Sequence, residues 1–335
     1  MVVVTGATGH LGTVIVQRLV EQGESVRYIA RAGSSAPGLD GLGVERVDQS
    51  LFDRNGLARA FAGAEVVYHS AARISISRGD DDELHRVNVA GTVNVLHAAK
   101  QAGVGRVVHV GSIEAFAMER APYPVTEQHP IDPDHTVMEY GRSKALSIQA
   151  ALRAAHTGQD VVVCCPTAFI GPPDYRLSPL GRLIVDFVER RLPAYVDGGF
   201  DFVDVRDVAD GVISAGSRGR SGGVYLLSGR YASVPELMTM LEERSGVKRP
   251  LLCLPTRALL PLMPFVETYY RVTRRSPRFT TGSLSILSLG VRVDSSLARR
   301  ELGFSARPLE ETIEDTLHWF ATCGYAPSWA TAGTG

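Results

Sequence analysis

Lysine is scarce in this sequence: Lys100, Lys144 and Lys248 are the only three, and arginine supplies the other basic side chains. A lysine at a motif position is therefore hard to explain by chance. An excess of one charge is missing too, because 35 basic and 36 acidic residues leave a formal net charge of −1. This balance gives no long-range field for nucleic acid or an acidic membrane, so neither is expected as a partner.

Cysteine is also scarce, and its four copies form neither a metal-ligand spacing nor a disulfide framework: Cys164, Cys165, Cys253 and Cys323. No metal site is therefore expected, and a reducing cytoplasm fits this usage best. The adjacent Cys164 and Cys165 lie in an apolar run and are predicted to be core residues. No signal peptide is expected, because the first residues already have the pattern of a strand and a glycine loop.

Long apolar runs are absent. A membrane-spanning helix needs about 20 consecutive apolar residues, and the best candidate, residues 251–272, is interrupted by three prolines, Arg257 and Glu267. We therefore expect no membrane insertion. The segment is predicted to be a pocket lid or a packed helical turn rather than a membrane surface anchor.

What the chain does contain is a regular alternation of short β-branched runs with helical patterns. The strand candidates are Val2–Thr5, Val26–Ala30, Val66–His69, Val107–Gly111 and Val161–Cys165. The helix candidates between and after them are Leu11–Gln22, Leu57–Ala62, Glu83–Gln101 and Tyr140–Ala155. Continuous apolar strands that alternate with helices are typical of a parallel sheet covered on both faces. The predicted fold class is therefore α/β, a doubly wound parallel sheet of the Rossmann type.

A glycine-rich loop, Thr5-Gly6-Ala7-Thr8-Gly9-His10-Leu11-Gly12, follows the first strand. Gly6 suits the tight turn after the strand, Gly9 suits a close approach of backbone to a pyrophosphate, and Gly12 suits the packing of helix on strand. The helix that begins near His10 directs its free N–H groups and its dipole at the anion. The loop therefore predicts a dinucleotide site.

The end of the second strand bears on the choice of dinucleotide. NAD enzymes usually place a carboxylate there for the ribose hydroxyls, whereas NADP needs a cation for the added phosphate. This strand ends in Ala30 and is followed by Arg31, whose planar guanidinium suits a phosphate. NADP(H) is therefore the expected cofactor, with NAD(H) as the alternative.

The strand–helix alternation becomes irregular after Pro166, which predicts a division of the chain. Residues 1–165 are predicted to form an NADP-binding Rossmann domain, to which Phe202–Ser214 and Val224–Leu227 return. Residues 166–325 are predicted to form a smaller, mostly helical, substrate-binding part, in which the apolar stretch Leu251–Phe265 lines the pocket. Residues 326–335 are expected to be a frayed tail.

Tyr140 and Lys144 stand four residues apart, one turn along one helix face. Reduction of a ketone needs a proton delivered to oxygen while hydride reaches carbon, but a phenol with a pKa near 10 is a poor acid–base group at neutral pH. A fixed positive charge about 4 Å away contributes roughly 4 kcal/mol at an effective dielectric near 20. That is enough to lower the phenol pKa to about 7. Ser112, at the carboxyl end of a strand, is predicted to hold the substrate oxygen beside Tyr140.

The chain resembles an extended short-chain dehydrogenase/reductase, and the resemblance covers roughly residues 2–325. It is carried by Thr5–Gly12, His69–Ala72, Asn88–Thr92, Gly111–Glu114, Tyr140–Lys144, Phe202–Ala209 and Glu301–Phe304. It implies a cytoplasmic, homodimeric enzyme in which Ser112, Tyr140 and Lys144 are catalytic. The dimer would pair the helices 83–101 and 140–155 with their copies.

The resemblance also implies a set of cofactor contacts. The pyrophosphate would face the loop, and Arg31 the ribose phosphate. Leu51 would lie beside the adenine, with Ser50 where the family usually has Asp. Asn88 would support the strand ends, and Pro166 and Thr167 would face the nicotinamide. The full implied cofactor set is Gly6, Thr8, Gly9, His10, Leu11, Gly12, Arg31, Ser50, Leu51, Ser70, Ala71, Ala72, Asn88, Tyr140, Lys144, Pro166 and Thr167.

The branch of the family stays open. Pro166–Pro172 resembles dihydroflavonol-reductase-like and bacterial aldehyde-reductase-like members. Nucleotide-sugar epimerases usually carry Asn where Ala168 stands and Tyr where Ile170 stands. The C-terminal half is similar to hopanoid-associated epimerase-like proteins, and Gly111–Glu114 resembles 3β-hydroxysteroid dehydrogenases.

We therefore expect an NADP-dependent reductase of a ketone or aldehyde on an apolar small molecule, or the reverse oxidation. A nucleotide-sugar epimerase or dehydratase and a 3β-hydroxysteroid-type dehydrogenase are the alternatives. The expected partner is a small carbonyl or alcohol substrate.

Overall fold

A computed structural model describes residues 1–75, 80–118, 124–273 and 280–325. Its centre is a seven-stranded sheet in which every pairing between neighbours is parallel. The strands are β1 (Val2–Thr5), β2 (Val26–Ala30), β3 (Glu45–Asp48), β4 (Val66–His69), β5 (Arg106–Val110), β6 (Val161–Pro166) and β10 (Val224–Leu227). Their order across the sheet is β3-β2-β1-β4-β5-β6-β10. The order reverses between β1 and β4, and this switch point is where doubly wound sheets bind their ligands.

Five further strands of the described residues lie outside the main sheet. They are β7 (Ala168–Ile170), β8 (Tyr195–Val196), β9 (Gly199–Asp204), β11 (Arg230–Ser233) and β12 (Cys253–Leu254). The strands β11, β9 and β7 form a small three-stranded sheet, and β12 pairs with β8.

Helices connect the strands of the main sheet and make up most of the C-terminal region. They are α1 (His10–Glu21), α2 (Arg54–Ala60), α3 (Asp81–Leu84), α4 (Gly91–Gln101), α5 (Glu139–His156), α6 (Pro179–Val188), α7 (Val205–Arg218), α8 (Val234–Ser245), α9 (Thr256–Leu259), α10 (Met263–Thr273), α11 (Thr281–Leu289), α12 (Ser296–Leu302) and α13 (Leu309–Thr322). A π-helical turn covers His85–Ala90, and 3-10 turns cover Ile113–Ala115, Pro133–His135 and Leu260–Leu262.

Apolar cores cover both faces of the main sheet, as the continuous apolar strands predict. One face packs against α1, α7 and α12, and the other against α2, α4 and α5. Cys164 and Cys165 are fully buried, one in each core, as expected from the sequence. A third core joins α6, α8, α11 and α13 to the small sheet. The expected doubly wound fold with a helical C-terminal region is confirmed.

The structure corrects three details of the sequence interpretation. Phe202–Ser214 adds no strand to the main sheet: its first residues end β9 in the small sheet, and the rest belongs to α7, which packs beside α1 on one face of the main sheet. The predicted helix Glu83–Gln101 is divided by the π turn. The edge strand β3 was not foreseen, because its polar residues are mostly exposed and give no apolar run. The expected frayed tail, residues 326–335, lies outside the described residues.

No helix within the described ranges is long and apolar enough to cross a membrane. The stretch 251–266 is not a covered helix either, because Leu251, Leu252, Leu262, Phe265 and Val266 are exposed. The expectation of a packed helical turn holds for the inner side of the stretch, where Thr256 and Met263 are buried and Leu259 and Leu260 pack against the third core.

Candidate active site

The glycine loop lies at the carboxyl end of β1, directly at the switch point. Gly6 has a φ of +75°, and a Cβ added there would stand 2.4 Å from the backbone nitrogen of Ala71 on the neighbouring crossover. A Cβ on Gly12 would stand 2.1 Å from the carbonyl oxygen of Gly6. Any larger residue at these two positions would therefore displace the loop.

The first turn of α1 is suited to an anion. Its N-cap is Gly9, which offers no side chain to accept from the first backbone N–H groups. No acidic residue lies in that turn. Uncapped N–H groups and the positive end of the helix dipole attract a phosphate. Gly6, Thr8, Gly9, Leu11 and Gly12 thus form a cradle that fits the pyrophosphate of a dinucleotide.

The side chain of His10 holds this cradle from outside. Its Nε2 hydrogen-bonds the carbonyl oxygen of Gly171 at 2.9 Å, and its ring lies 5.7 Å from that of Phe169. Burial lowers the pKa of His10, which keeps the ring neutral. The side chain thus ties the loop to the segment after β6 rather than presenting a cation to a phosphate. A pyrophosphate contact from His10 would have to come from its backbone N–H.

The end of β2 presents the expected cation. Arg31 is exposed, and the turn that follows is held by hydrogen bonds from the Ser34 backbone N–H and hydroxyl to the Arg31 carbonyl oxygen. The guanidinium of Arg46, on β3, also donates to this carbonyl at 3.3 Å and pairs with Asp48 at 2.8 Å. Sequence reasoning missed Arg46, because it lies on the strand that gives no apolar signal.

The remaining predicted nucleotide contacts surround the same crevice. Ser50 is exposed, and its hydroxyl accepts from the Phe52 N–H at 3.2 Å, whereas Leu51 is half-buried. Ser70 donates from its hydroxyl to the Thr5 carbonyl oxygen at 2.8 Å, which fixes the end of β4 to the end of β1. Ala71 and Ala72 follow at the mouth of the crevice with only small side chains, so no bulky group fills it.

Asn88 links two parts of the site from the π turn. It is 1% exposed, its Oδ1 accepts from the Arg73 N–H at 2.7 Å, and its Nδ2 donates to the Arg73 carbonyl oxygen at 2.9 Å. The same Nδ2 lies 2.9 Å from the Ser143 hydroxyl on α5. Asn88 therefore fixes the segment after β4 relative to the helix that carries Tyr140. π turns of this kind are frequent at functional sites.

A close approach of α5 to the turn after β5 brings together the three predicted catalytic residues, Ser112, Tyr140 and Lys144. A Cβ on Gly141 would stand 2.4 Å from the Glu114 carbonyl oxygen, so glycine at position 141 lets α5 approach the turn that follows Ser112. The Ser112 hydroxyl accepts from the Glu114 N–H at 3.2 Å and lies near enough to Tyr140 to lower the pKa of its phenol. Lys144 is 3% exposed, and its Nζ donates to the Val110 carbonyl oxygen at 2.7 Å.

The electrostatics of this group differ from the sequence expectation. Burial raises the pKa of Tyr140 well above its usual value near 10, and the Glu114 carboxylate raises that pKa further. The nearby Ser112 hydroxyl acts on this pKa in the opposite direction but is the smaller effect. Burial also lowers the pKa of Lys144 to about 8. The expected lowering of the phenol pKa by Lys144 is not seen in this structure: burial is the largest cause of the shift, and the Lys144 charge is not among its causes.

Glu114 is a feature of the site that sequence reasoning missed. Its Oε2 is enclosed and has no hydrogen-bond partner within the described part of the chain. Burial raises the pKa of this carboxyl to about 7. The only sequence signal was its place two residues after Ser112, in Gly111–Glu114. A carboxyl that changes charge near neutrality beside Tyr140 makes the site sensitive to pH.

Two buried histidines lie beneath the site and were also missed. His69 and His109 stack with ring centroids 5.3 Å apart. His69 hydrogen-bonds Thr5 at 2.7 Å, and His109 hydrogen-bonds Ser147, whose hydroxyl donates to the Lys144 carbonyl oxygen at 2.8 Å. Burial lowers the pKa of both rings, that of His69 to about 3. They are therefore neutral packing groups that support the strand ends and α5.

Pro166 and Thr167 end β6 and are buried on the other side of the crevice. The Thr167 N–H donates to the Leu227 carbonyl oxygen at 3.1 Å, and its hydroxyl donates to Asp201 at 3.3 Å. Asp201 also accepts from the Gly229 N–H at 3.0 Å, and burial raises its pKa to about 6. These bonds fix the strand end that was predicted to face the nicotinamide.

A cavity of about 500 Å³ lies against the N-terminal end of α5. Its lining includes Met138, Glu139 and Arg142 from the approach to α5, and Thr281 and Ser285 from α11. Glu267 also lines it, whereas no residue of Leu251–Phe265 does. Ser112, Tyr140 and Lys144 do not line this cavity either, so the expected lining of the substrate pocket by Leu251–Phe265 stays a prediction. The wall of the cavity is mixed polar and apolar.

The comparisons with known proteins agree with this geometry. A family model described as the NAD dependent epimerase/dehydratase family matches residues 2–228. The chain belongs to that family. It is an extended short-chain dehydrogenase/reductase by its fold and its relatives, which confirms the resemblance stated from the sequence.

Two curated relatives and one solved structure are similar over nearly the whole chain. Sterol demethylase protein B of Methylococcus capsulatus is 39% identical, with 96% of this chain and 98% of the relative covered. A putative dihydroflavonol 4-reductase of Synechocystis is 32% identical, with 96% and 95% covered. The crystal structure of gox2253 is 30% identical, with a TM-score of 0.86 and with 97% and 99% covered. The family and these relatives support oxidoreductase chemistry with a nicotinamide cofactor.

Proposed function

We propose that the protein reduces a ketone or aldehyde on an apolar small molecule with NADPH, or catalyses the reverse oxidation. The observation that carries this proposal is the grouping of the Tyr140 phenol, the Ser112 hydroxyl and the Lys144 ammonium beside the glycine cradle. NADPH would supply the hydride. The family and the reductase named among its relatives support the same chemistry.

In the reduction, Tyr140 acts as the proton donor. Its raised pKa keeps the phenol protonated at neutral pH, which is the form that a carbonyl oxygen needs. Ser112 hydrogen-bonds the same oxygen and holds it beside the phenol. Negative charge that develops on the oxygen is stabilised by these two donors and by the buried Lys144 ammonium.

Lys144 has a second role as a positioning group. Its bond to the Val110 carbonyl oxygen uses one of three donor hydrogens and leaves two for a nearby acceptor. A ribose hydroxyl of the cofactor is the acceptor that this side of the crevice suits. A lysine pKa lowered to about 8 leaves the ammonium charged at neutral pH.

The preference for NADPH rests on Arg31. Its guanidinium is exposed at the end of β2, and no ion pair to it is found within the described part of the chain. Ala30 occupies the position where a carboxylate would repel a ribose phosphate. A planar cation in this place suits a phosphate ester.

Two alternatives differ from this proposal, one in the reaction that is catalysed and the other in its substrate. A nucleotide-sugar epimerase is favoured by the name of the family, but such an enzyme returns the hydride to its substrate and shows no net redox change. A 3β-hydroxysteroid-type dehydrogenase is favoured by Gly111–Glu114 and would show net redox chemistry on a sterol.

The test is to measure dissociation constants for NADPH and NADH and then to screen carbonyl compounds with the tighter cofactor. We expect NADPH to bind more tightly and to be oxidised with at least one apolar ketone or aldehyde. Absence of cofactor oxidation across a broad panel, with sugar nucleotides interconverted instead, would overturn the proposal. The homodimer stays a prediction, and light scattering that shows only monomer at micromolar concentration would contradict it.

A further inference from the structure

An exposed apolar segment, defined as residues 251–266, stands out on the surface of the C-terminal region. Eight large hydrophobic side chains are exposed within the described residues, and five of them lie in this segment. Leu251 is fully exposed and Phe265 is 76% exposed, and the other three are Leu252, Leu262 and Val266. A cluster of this kind on a folded protein marks a surface that meets an apolar partner.

The segment is held in place by inward-facing groups, so its outer side chains have not simply failed to pack. Met263 is 4% exposed and belongs to the third core, and Thr256 is 3% exposed. The Thr256 N–H donates to Asp197 at 2.6 Å, and the Leu252 carbonyl oxygen accepts from the Tyr195 N–H at 3.1 Å. The backbone is therefore fixed to the protein while the apolar side chains face outward.

The charge around this segment differs from the balance of the whole chain. No Asp or Glu occurs between Glu243 and Glu267, whereas Lys248, Arg249 and Arg257 lie in or directly beside the segment. Glu242 pairs with Lys248 at 3.1 Å and lies 3.6 Å from Arg249. Arg257 is exposed, with no ion pair to it among the described residues. The neighbouring carboxylates Asp197 and Glu267 accept hydrogen bonds from Thr256 and Thr281. The outer surface thus combines aliphatic and aromatic side chains with two exposed cations, Lys248 and Arg257.

We propose that the exposed apolar segment docks this protein onto the surface of an anionic phospholipid bilayer. Leu251, Leu252, Leu262 and Phe265 would enter the boundary between headgroups and acyl chains, while Arg257 and Lys248 would contact the headgroup phosphates. Aliphatic side chains beside cations match both layers of a bilayer surface, whereas a nucleic acid offers no hydrocarbon layer for Leu251, Leu252 and Leu262 to enter. Docking at the surface needs no membrane-spanning helix.

The exposed apolar segment is followed directly by a residue that lines the cavity beside α5. Glu267, which directly follows Val266 in the chain, lines the cavity beside α5 and accepts hydrogen bonds from the Thr281 N–H and hydroxyl at 2.7 and 2.8 Å. A docked molecule would hold this cavity near the lipid surface. An apolar substrate dissolved in the bilayer could then reach the cavity without crossing bulk water.

Vesicle co-sedimentation of the full chain tests the proposal without any substrate. Vesicles of equal parts phosphatidylglycerol and phosphatidylcholine are compared with vesicles of phosphatidylcholine alone, at low and high salt. We expect binding to the mixed vesicles, weaker binding to pure phosphatidylcholine, and a loss of binding as salt rises. No binding to either vesicle would overturn the proposal, as would equal binding to both.

Substitutions assign the binding to the segment. Leu262→Ser with Phe265→Ser is expected to weaken partitioning by about tenfold or more, because two apolar side chains no longer enter the lipid. Arg257→Glu is expected to weaken it by about fivefold or more, and this exposed position should leave folding intact. The matched controls are Phe52→Ser and Arg59→Glu, two exposed positions in the first half of the chain.

The segment variants also decide whether a membrane or a second copy of this chain covers the exposed apolar segment. Unchanged vesicle binding in both the Leu262/Phe265 variant and Arg257→Glu would overturn the proposal. Dissociation of a dimer in these variants, with vesicle binding as in the native protein, would also overturn the proposal, because a second copy would then cover the segment. Reduced binding of the two segment variants with native binding of the two controls is the supporting result.

Discussion

The Lys144 ammonium donates a 2.7 Å hydrogen bond to the carbonyl oxygen of Val110, two residues before Ser112. This bond joins the helix that carries Tyr140 to the strand whose end carries Ser112. The catalytic roles proposed for the three residues therefore depend on one rigid connection between α5 and β5. Because Lys144 is buried, solvent screens its charge only weakly, and the charge acts strongly on the groups around it.

The tight packing of Gly12 on the loop predicts a large effect of adding one methyl group. Gly12→Ala places a Cβ 2.1 Å from the Gly6 carbonyl oxygen, whereas Gly91→Ala, also in a helix, meets nothing closer than the Leu51 side chain at 3.5 Å. We expect Gly12→Ala to lower the free energy of unfolding by about 2 kcal/mol or more and to weaken dinucleotide binding. Gly91→Ala should be neutral or stabilising by up to about 1 kcal/mol. Chemical denaturation checks both, and equal effects would contradict this account of the loop.

The role proposed for Arg31 predicts a selective loss of affinity. Arg31→Ala is expected to weaken NADPH binding by about tenfold or more, since a charge-assisted hydrogen bond to phosphate contributes roughly 1.5–3 kcal/mol. NADH binding should change by less than about twofold, because NADH lacks that phosphate. Fluorescence titration of both cofactors measures the two constants. The exposed Arg59, changed to Ala, is the control; a parallel loss for NADPH and NADH would argue against the assignment.

The buried carboxyl of Glu114 predicts a dependence of stability on pH. Its pKa is raised from an ordinary value of 4.5 to about 7, so the unfolded chain loses this proton at lower pH than the folded protein does. The native free energy of unfolding should therefore fall as pH rises from about 5 to about 7. The side chain introduced by Glu114→Gln cannot ionise. The free energy of unfolding of this variant, relative to that of the native protein, should therefore rise by about 1–3 kcal/mol across that window.

Urea denaturation at several pH values, with Glu243→Gln as a control at an exposed position, measures this difference. A constant difference between Glu114→Gln and the native protein from pH 5 to pH 8 would show that the carboxyl is not held protonated. The pH profile of any carbonyl reduction should change in the same variant, because Glu114 also acts on the pKa of Tyr140.

The proton transfer assigned to Tyr140 predicts a loss of rate on removal of one oxygen atom. Tyr140→Phe is expected to reduce kcat by about 10²–10⁴, the usual contribution of a positioned acid or base. Tyr231→Phe, which removes a hydroxyl from the small sheet, should keep the native rate. Steady-state oxidation of NADPH with a ketone found in the screen provides the measurement, and a native kcat in Tyr140→Phe would remove the phenol from the mechanism.

The parallel sheet with helices on both faces could be predicted, and so could the short motifs at its strand ends, because both follow from local signals. Apolar runs indicate buried parallel strands, and Gly6, Tyr140 and Lys144 lie in short motifs with fixed spacing. The edge strand β3 could not be predicted in this way, since three of its four residues, Glu45, Arg46 and Asp48, are charged.

Other features depend on contacts that no local pattern shows. Glu114 is enclosed only because α5 approaches it at Gly141, so its raised pKa is a tertiary effect. The apolar pattern of residues 251–266 predicts burial, yet only part of the stretch is buried: Met263 belongs to the third core, whereas Phe265, two residues later, is exposed. Hydrophobicity alone does not distinguish a core segment from an apolar surface.

The central claim is that hydride moves between the nicotinamide and a carbonyl carbon held by Ser112 and Tyr140. It is tested most directly with NADPH that carries deuterium at the transferable position of its nicotinamide, followed by mass spectrometry and NMR of the product. The account predicts one deuterium, bound to the carbon that was the carbonyl, with stoichiometric oxidation of the cofactor. A substrate that is converted with no deuterium in the product and no net cofactor oxidation would contradict it.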